Sequence, residues 1–210
     1  MIKAVFFDMG GVLLPLYVER CIEAYRTRAG FKDITDFLDP YHQRGFFVDL
    51  EAGTIDRDDF VRECLRHCAP GTTEETLKEC HDEFFGTPLP DTVAYVKELS
   101  QTYEVDVLSN NNEFSMELHR PNFAQVGLPL ETSFTHLFLS HEMHLMKPEP
   151  EIYRRAVAEA GYKSEEILFI DDSQANVDGA RACGLNAILY RIGENDLRTL
   201  VDAELARLNG

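Results

Sequence analysis

Basic side chains are scarce in this sequence, and long apolar runs are absent. Among 210 residues, 20 lysines and arginines stand against 37 aspartates and glutamates, which gives a formal net charge of −17. Such a charge repels the phosphates of nucleic acids and anionic membrane surfaces, so we expect the protein to bind neither. No apolar run approaches the ~18 residues that a transmembrane helix requires. Met1-Ile2-Lys3 leads directly into an apolar segment, which leaves no room for a signal peptide and favours a cytoplasmic protein.

The closely spaced cysteine pairs that are common in structural zinc sites are also missing. The sequence has five cysteines, at positions 21, 64, 68, 80 and 183. An odd and scattered set is typical of reduced thiols in a cytosolic protein. Cys64, His67 and Cys68 lie at helical spacing, and we interpret them as partly buried helix residues rather than as zinc ligands.

The order of the apolar segments predicts an α/β fold. We place strands at 3–8, 104–109, 136–140, 166–171 and 186–190. Helical patterns centred near 113–126, 149–161 and 174–183 separate the last four strands. Because strands and helices alternate in this way, we expect a Rossmann-like parallel sheet flanked by helices on both faces.

Residues 15–86 have a different pattern, in which helical periodicity dominates and no strand is indicated. We predict helices at 17–29, 56–68 and 72–85. The breaker-rich segment Thr87-Pro88-Leu89-Pro90 then leads to a further helix that returns the chain to the sheet. The sequence therefore predicts an α/β core made of residues 1–14 and 87–210, with a small all-helical module, 15–86, inserted after the first strand.

Four polar motifs occur where the predicted strands end or a helix begins: Asp8, Ser109-Asn110, Lys147 and Asp171-Asp172. The carboxyl ends of parallel strands lie at one edge of a sheet, so we expect these motifs to meet there. Taken alone, an aspartate after a strand is more often a turn former or a helix cap. Two adjacent carboxylates after a buried strand, however, repel each other unless a cation lies beside them. Mg²⁺ is the expected cation, because it prefers hard oxygen ligands.

The order and spacing of these motifs resemble the haloacid dehalogenase-like hydrolase superfamily over essentially the whole chain. Within it, the chain looks most like the phosphatase branch whose first motif reads Asp-x-Gly-Gly/Asn-Val. That branch includes α-glucose-1-phosphatase-like proteins and the N-terminal domains of bifunctional epoxide hydrolases. The matching segments are Asp8-Met9-Gly10-Gly11-Val12, Gly53-Thr54-Ile55-Asp56, Leu108-Ser109-Asn110-Asn111, Lys147-Pro148-Glu149-Pro150 and Phe169-Ile170-Asp171-Asp172. Residues 15–86 stand in the place of the family's helical cap.

The resemblance implies a Mg²⁺-dependent phosphatase that hydrolyses a small phosphorylated metabolite, such as a sugar phosphate, through an aspartyl-phosphate intermediate. Asp8 would be the nucleophile. Ser109 and the backbone N–H of Asn110 would bind phosphoryl oxygens, and Lys147 would pair with both Asp8 and the phosphate. The expected partner is thus the small phosphorylated metabolite, and we expect the protein to be a monomer.

The resemblance also implies a ligand set for the metal. Mg²⁺ would be held by Asp8, the carbonyl oxygen of Gly10 and Asp172, with Asp171 acting through water. A metal ion and a lysine together would offset the charge of a phosphate, which explains how so acidic a protein could accept an anion.

Gly10 departs from the family's usual pattern. In most phosphatases of the superfamily an aspartate two residues after the nucleophile protonates the leaving group and later activates water, a contribution of roughly 10²–10⁴-fold. Gly10 cannot supply it. A phosphatase could tolerate this loss if its leaving group is acidic, or if a cap residue such as His42 stands in. The alternatives are a catalytically weak or inactive member that binds a phosphorylated ligand or partner, and a metal-independent 2-haloacid dehalogenase, which would not keep the Asp171-Asp172 pair.

Candidate substrate contacts lie in the cap segment 39–47. Tyr41, His42, Gln43 and Arg44 could hydrogen-bond a sugar or a second anionic group, and we take His42 and Arg44 as the candidate substrate residues. The nearby aromatic residues are interpreted instead as the core of the cap. They are Phe46, Phe47, Phe84 and Phe85.

Overall fold

The structure is a computed structural model that describes residues 1–38 and 43–210. Its centre is a five-stranded parallel sheet in the order β3-β2-β1-β4-β5. The strands are β1 (Ala4–Phe7), β2 (Glu104–Ser109), β3 (Leu137–Leu139), β4 (Ile167–Asp171) and β5 (Asn186–Leu189). The Rossmann-like parallel sheet predicted from the sequence is confirmed, and each strand lies within one residue of its predicted ends.

Helices cover both faces of the sheet. The helices that follow residue 86 are α5 (Pro90–Leu99), α6 (Glu113–Gln125), α7 (Leu130–Ser133), α8 (Ser140–Met143), α9 (Pro150–Ala160), α10 (Gln174–Ala182) and α11 (Leu197–Asn209). Alternate residues of each central strand point to opposite faces. Phe7 accordingly packs in one apolar cluster with side chains of α5, α6 and α11, and Phe6 packs in the other with side chains of α9 and α10.

Residues at the helix ends explain where α6 and α9 begin or end. The side chain of Asn112 accepts a hydrogen bond of 2.8 Å from the backbone N–H of Ser115 and so caps the N-terminus of α6. Pro150 occupies the first turn of α9, where its missing N–H has no cost. Gly161 ends that helix in the left-handed conformation, at φ 76°.

Residues 15–86, which we call the helical insert, contain four α-helices among the residues that the structure describes. They are α1 (Val18–Thr27), α2 (Phe46–Glu51), α3 (Arg57–His67) and α4 (Glu74–Asp82), with a short 3₁₀ turn at Ile34–Asp36. The insert has its own apolar cluster, which includes Phe46, Phe47 and Cys64 and which also packs against Phe114 of α6. Phe114 belongs to α6, one of the helices that cover the sheet, so the helical insert packs directly against that layer of helices.

Four short or terminal elements were not predicted from the sequence: α2, α7, α8 and α11. The first three are six residues long or shorter, too short to show helical periodicity. No helix among the described residues is long and apolar enough to cross a membrane.

Candidate active site

The predicted polar motifs meet at the carboxyl edge of the sheet. Asp8 directly follows β1, and Ser109 and Asp171 are the last residues of β2 and β4, the two neighbours of β1. The backbone N–H of Asp8 donates to the carbonyl of Ile170 over 2.9 Å, which fixes the end of β1 against β4. The chain order reverses between these two strands, and such a switch point is where open α/β sheets bind their ligands.

Lys147 lies at the centre of this cluster, with its side chain only 1% exposed. Its Nζ is 3.0 Å from Oδ1 of Asp8 and 2.6 Å from Oδ2 of Asp171, and it also donates to the carbonyl of Leu108 over 2.9 Å. A buried ammonium is stable only when acceptors surround it in this way. The pKa of Lys147 is raised, because the two carboxylates outweigh the effect of its burial. Lys147 is therefore charged and held in place.

Asp171 is fully buried, and both of its carboxylate oxygens are engaged by donors. The backbone N–H of Ser173 donates to Oδ1 over 2.8 Å. The Nδ2 of Asn176 lies 3.0 Å from Oδ1 and 3.1 Å from Oδ2. Asp171 thus holds Lys147 rather than presenting a free oxygen to a ligand. The expected indirect role of Asp171 at a metal stays a prediction.

Asp8, Asp171 and Asp172 each place a carboxylate oxygen within 4.8 Å of the others. Three carboxylates face one ammonium here, so the excess negative charge fits a divalent cation, and the all-oxygen donors suit Mg²⁺. Burial raises the pKa of Asp8 to about 7, with Lys147 opposing the rise and the two other aspartates adding to it. Burial and Asp171 raise the pKa of Asp172 to about 6. The residues present therefore fit the cation predicted from the sequence.

Gly11 allows Asp172 to come close to the turn after β1. It has a left-handed backbone, at φ +73°, and a Cβ built on it would lie 2.1 Å from Oδ2 of Asp172. Any side chain at position 11 would therefore displace Asp172 or the turn itself.

Ser109 and Asn110 bound the site on the β2 side. Ser109 lies beside Asp8, and its hydroxyl lowers the pKa of that carboxyl group. The side chain of Asn110 exchanges two hydrogen bonds with the backbone of Lys147, of 2.8 and 3.0 Å. The sequence predicted a role for the Asn110 backbone, and the structure adds that its side chain fixes the loop that carries the lysine.

A cavity of about 140 Å³ opens above Asp8, between the sheet and the helical insert. Gly10, Ser109 and Asp172 line it from the sheet side. From the insert, Gln43 and Glu51 line it. The enclosure is small and mixed in polarity, which suits a compact polar ligand.

Glu51, the last residue of α2, was not identified from the sequence. Its Oε1 accepts a hydrogen bond of 2.6 Å from Nε2 of Gln43. Burial raises the pKa of Glu51 to about 7, while the Gln43 hydrogen bond and the charge of Lys147 oppose the rise. The available signal was the segment Gly53-Thr54-Ile55-Asp56, which carries the family resemblance and begins two residues after Glu51.

Two buried histidines also line the cavity without having been predicted. His81 contacts the hydroxyls of Tyr25 at 3.3 Å and Ser115 at 2.9 Å, and burial lowers its pKa to about 4. His119 has a pKa lowered to about 3 by burial and by His81. Both rings are therefore neutral near pH 7.

The remaining predicted residues have separate outcomes. His42 and Tyr41 lie outside the described residues. Arg44 is exposed and is not among the described residues that line the cavity. Phe84 and Phe85 line the cavity as well as packing inside the protein, which differs from the purely structural role expected for them.

The family model of haloacid dehalogenase-like hydrolases matches residues 2–184. The chain belongs to this family. It is 32% identical over 185 residues to the D-ribitol-5-phosphate phosphatase of Bacteroides thetaiotaomicron, with 88% of this chain and 89% of that protein covered. It is 24% identical to a (S)-2-haloacid dehalogenase of Pseudomonas putida, with 88% of this chain and 85% of that protein covered.

A solved haloacid dehalogenase-like enzyme from Bacteroides thetaiotaomicron, in complex with magnesium and inorganic phosphate, has the same fold. Its TM-score is 0.89 at 28% identity, with 95% of this chain and 99% of that chain covered. These relatives confirm the predicted superfamily, the class of phosphoric monoester hydrolase and the Mg²⁺ cofactor.

Proposed function

We propose that this haloacid dehalogenase-like hydrolase releases inorganic phosphate from a small phosphorylated polyol or sugar, with Asp8 as the nucleophile. The observation that carries the proposal is the position of Lys147, 3.0 Å from Asp8 and 2.6 Å from Asp171, with Asp172 close enough to share a cation. The polyol is suggested by the D-ribitol-5-phosphate phosphatase that is similar over most of the chain. The cavity of about 140 Å³ supports a small substrate.

The chemistry proposed for Asp8 is covalent capture of the phosphoryl group. One oxygen of the Asp8 carboxylate attacks phosphorus, and the bond from phosphorus to the leaving oxygen breaks. Lys147 lies beside the nucleophile and offsets the repulsion between its charge and that of the phosphate. Ser109 and the N–H of Asn110 bind non-bridging oxygens. Water then hydrolyses the aspartyl-phosphate and restores Asp8.

Asp8, Asp172 and the carbonyl of Gly10 would hold Mg²⁺, and Asp171 would act through water. When bound, the ion neutralises charge on the phosphoryl oxygens and orients the phosphate. Asp171 contributes separately by fixing Lys147, since its own oxygens are taken by donors from Ser173 and Asn176.

The helical insert, 15–86, acts in this proposal as a cap over a core made of residues 1–14 and 87–210. Gln43 and Glu51 of the insert line the cavity above Asp8, which supports that role. A cap excludes water and contacts the leaving group. His42 and Arg44 stay as candidate substrate contacts of this cap. The same proposal takes the protein to be a cytoplasmic monomer that binds neither nucleic acid nor membrane.

A dehalogenase is the second candidate, because a (S)-2-haloacid dehalogenase is among the relatives that span most of the chain. The clustered carboxylates of Asp8, Asp171 and Asp172 argue against a metal-independent reaction, since no single lysine balances them. A weak or inactive binding protein is the third candidate, and the Gly10 position is the observation in its favour.

One assay separates the three candidates. Phosphate release is measured over a panel of polyol and sugar phosphates, with Mg²⁺ and with EDTA, for the wild type, Asp8→Asn and the exposed control Asp58→Asn. We expect Mg²⁺-dependent release that only Asp8→Asn abolishes. Halide release from 2-chloropropionate without metal would instead support the dehalogenase. No release from any substrate, with Asp8→Asn behaving as wild type, would leave only the binding protein.

A further inference from the structure

The position of the usual second acid is taken by a glycine in this protein, and a leucine side chain lies beside it. A Cβ built on Gly10 would lie 3.0 Å from Cδ1 of Leu16, and Leu16 lines the cavity at that point. Any side chain at position 10 would require Leu16 to shift, and Gly10 itself has no group that could give a proton. If the leaving group receives a proton, the proton comes from elsewhere around the cavity.

Among the described residues that line the cavity, the carboxyl groups are those of Asp8, Asp172 and Glu51. Asp8 is the proposed nucleophile, and Asp172 is a proposed metal ligand. His81 and His119 are neutral near pH 7, and the two ring nitrogens of His81 contact the hydroxyls of Tyr25 and Ser115. Among the described residues that line the cavity, Glu51 is thus the acid to which no other role has been assigned.

Glu51 also reaches the cavity from the required side. Asp8 enters from the end of β1, whereas Glu51 enters from the helical insert at the end of α2. In an in-line displacement the leaving group departs on the side of phosphorus opposite the nucleophile. The water that later attacks the aspartyl-phosphate arrives from that same side. One carboxyl group on the insert could therefore serve both steps.

Hydrogen bonds hold Glu51 in position through both its side chain and its backbone. Gln43 donates to Oε1 over 2.6 Å. The carbonyl of Glu51 accepts from Oγ of Ser140 over 2.6 Å, and that hydroxyl also accepts from the N–H of Asn111 over 2.9 Å. These bonds join the end of α2 to the loop after β2, next to Ser109 and Asn110.

We propose that Glu51 is the acid–base residue of the phosphatase, replacing the aspartate that is absent at position 10, and that Gln43 positions it. This inference rests on the proposed function. As the bond between phosphorus and the leaving oxygen breaks, the Glu51 carboxyl gives its proton to that oxygen, and the alcohol leaves. Water then attacks phosphorus, its proton passes to the Glu51 carboxylate, and inorganic phosphate and free Asp8 are formed.

The surroundings of Glu51 support this role. A general acid works best when its pKa lies near the working pH, and burial raises the pKa of Glu51 to about 7. Gln43 and Lys147 are the groups that oppose this rise. Asp8, Asp172, His81 and His119 line the same cavity.

The test uses two leaving groups. With an alkyl substrate such as ribitol 5-phosphate, Glu51→Gln should lower kcat/KM by about 10²–10⁴-fold. With p-nitrophenyl phosphate, whose leaving group needs no proton, the variant should release a burst of p-nitrophenol equal to the enzyme and then turn over slowly. Slow turnover follows because the second step still lacks its base. Glu23→Gln, an exposed glutamate of α1, is the matched control and should behave as wild type.

The pH profile distinguishes proton transfer from a structural role. In the wild type, kcat/KM for the alkyl substrate should pass through a maximum near pH 7: it rises as Asp8 ionises and falls at higher pH because Glu51 loses the proton it must give. Glu51→Gln should lose this fall. Gln43→Leu removes a donor that favours the carboxylate, so the fall should move to higher pH.

Two results would overturn the inference while leaving the phosphatase intact: an active wild type that Glu51→Gln matches with both substrates, or equal losses with both substrates and no burst. Loss of the alkyl activity in His42→Asn, with Glu51→Gln unaffected, would assign the proton to His42. Failure of the proposed function is distinguishable, because the wild type itself would then release no phosphate. Binding of inorganic phosphate and Mg²⁺ by Glu51→Gln verifies that the variant is folded.

Discussion

At the scale of single residues, Lys147 explains how the site can hold several buried carboxylates. Its ammonium group is buried and forms ion pairs with both Asp8 and Asp171. The sequence identified all three residues, because each lies at a strand end or before a helix in a recognisable order. It could not indicate that Asn110 bonds the backbone of this lysine or that Asn176 bonds Asp171, since those contacts arise only when separate segments fold together.

Glycine 11 provides a residue-scale test of the metal site. In Gly11→Ala the new Cβ would fall 2.1 Å from Oδ2 of Asp172, so the carboxylate must move. We expect the Mg²⁺ concentration for half-maximal phosphatase activity to rise at least tenfold, measured by metal titration. Gly71→Ala is the control, because Gly71 has a similar positive φ of +91° and nothing within 4 Å. An unchanged Mg²⁺ requirement in Gly11→Ala, or an equal effect in both variants, would contradict the assignment of Asp172.

At the scale of elements, the pattern of strands and helices was readable because the sheet is parallel and buried. Strands such as β4 are almost wholly apolar and are separated by helices with clear start and stop signals. The helix α11 was missed although Leu197, Val201 and Leu205 recur at helical spacing and are buried. Glu51 was missed for another reason: its burial depends on how the short helix α2 sits over the sheet, which is a tertiary effect.

The strand β2 contains an exception to its apolar pattern. Asp106 is fully buried in the strand, and its Oδ1 accepts from the backbone N–H of His136 over 2.7 Å and lies 3.1 Å from that ring's Nδ1. Its Oδ2 has no hydrogen-bond partner among residues 1–38 and 43–210. Burial raises the pKa of Asp106 to about 6, Glu104 adds to the rise, and His136 opposes it. The carboxylate form therefore weakens the sheet.

Stability should accordingly fall as the pH rises through this titration. Because the folded pKa of Asp106 lies above the unfolded value, the protonated group contributes most below pH ~4, and the contribution is lost as the pH rises through about 6. Asp106→Asn removes this loss and keeps an oxygen for His136. We expect the variant to exceed the wild type by about 1–2 kcal/mol in the free energy of unfolding at pH 8 and to match it at pH 4. Urea unfolding at the two pH values measures this, and a destabilised variant at pH 8 would contradict the account.

At the scale of the whole molecule, a protein of net charge −17 binds an anion only because positive charge is concentrated at one point. Lys147 supplies positive charge at this point, and a bound Mg²⁺ would add to that charge. The composition argues against nucleic acid as the default partner class, which stays a prediction, but it could not identify a phosphate site. The phosphate site was implied by the resemblance of the short motifs to haloacid dehalogenase-like hydrolases, and the meeting of these motifs at one sheet edge follows from the topology.

Binding of Mg²⁺ should stabilise the folded protein against thermal unfolding. Without a cation, Asp8, Asp171 and Asp172 repel one another inside the protein, so Mg²⁺ should raise the melting temperature in proportion to its binding to the folded state. We expect a clear upward shift with millimolar Mg²⁺ over EDTA in the wild type and none in Asp172→Asn. Na⁺ at matched ionic strength controls for screening of the general negative charge. An equal shift with both salts would contradict a specific site.

The central claim is that Asp8 carries the phosphoryl group, and the most direct measurement is the intact mass of the acid-quenched enzyme during turnover. We predict an added mass of one phosphoryl group, mapped to Asp8, that accumulates most in Glu51→Gln with p-nitrophenyl phosphate and is absent in Asp8→Asn. Active turnover with no such adduct in Glu51→Gln, or an adduct that persists in Asp8→Asn, would contradict the account.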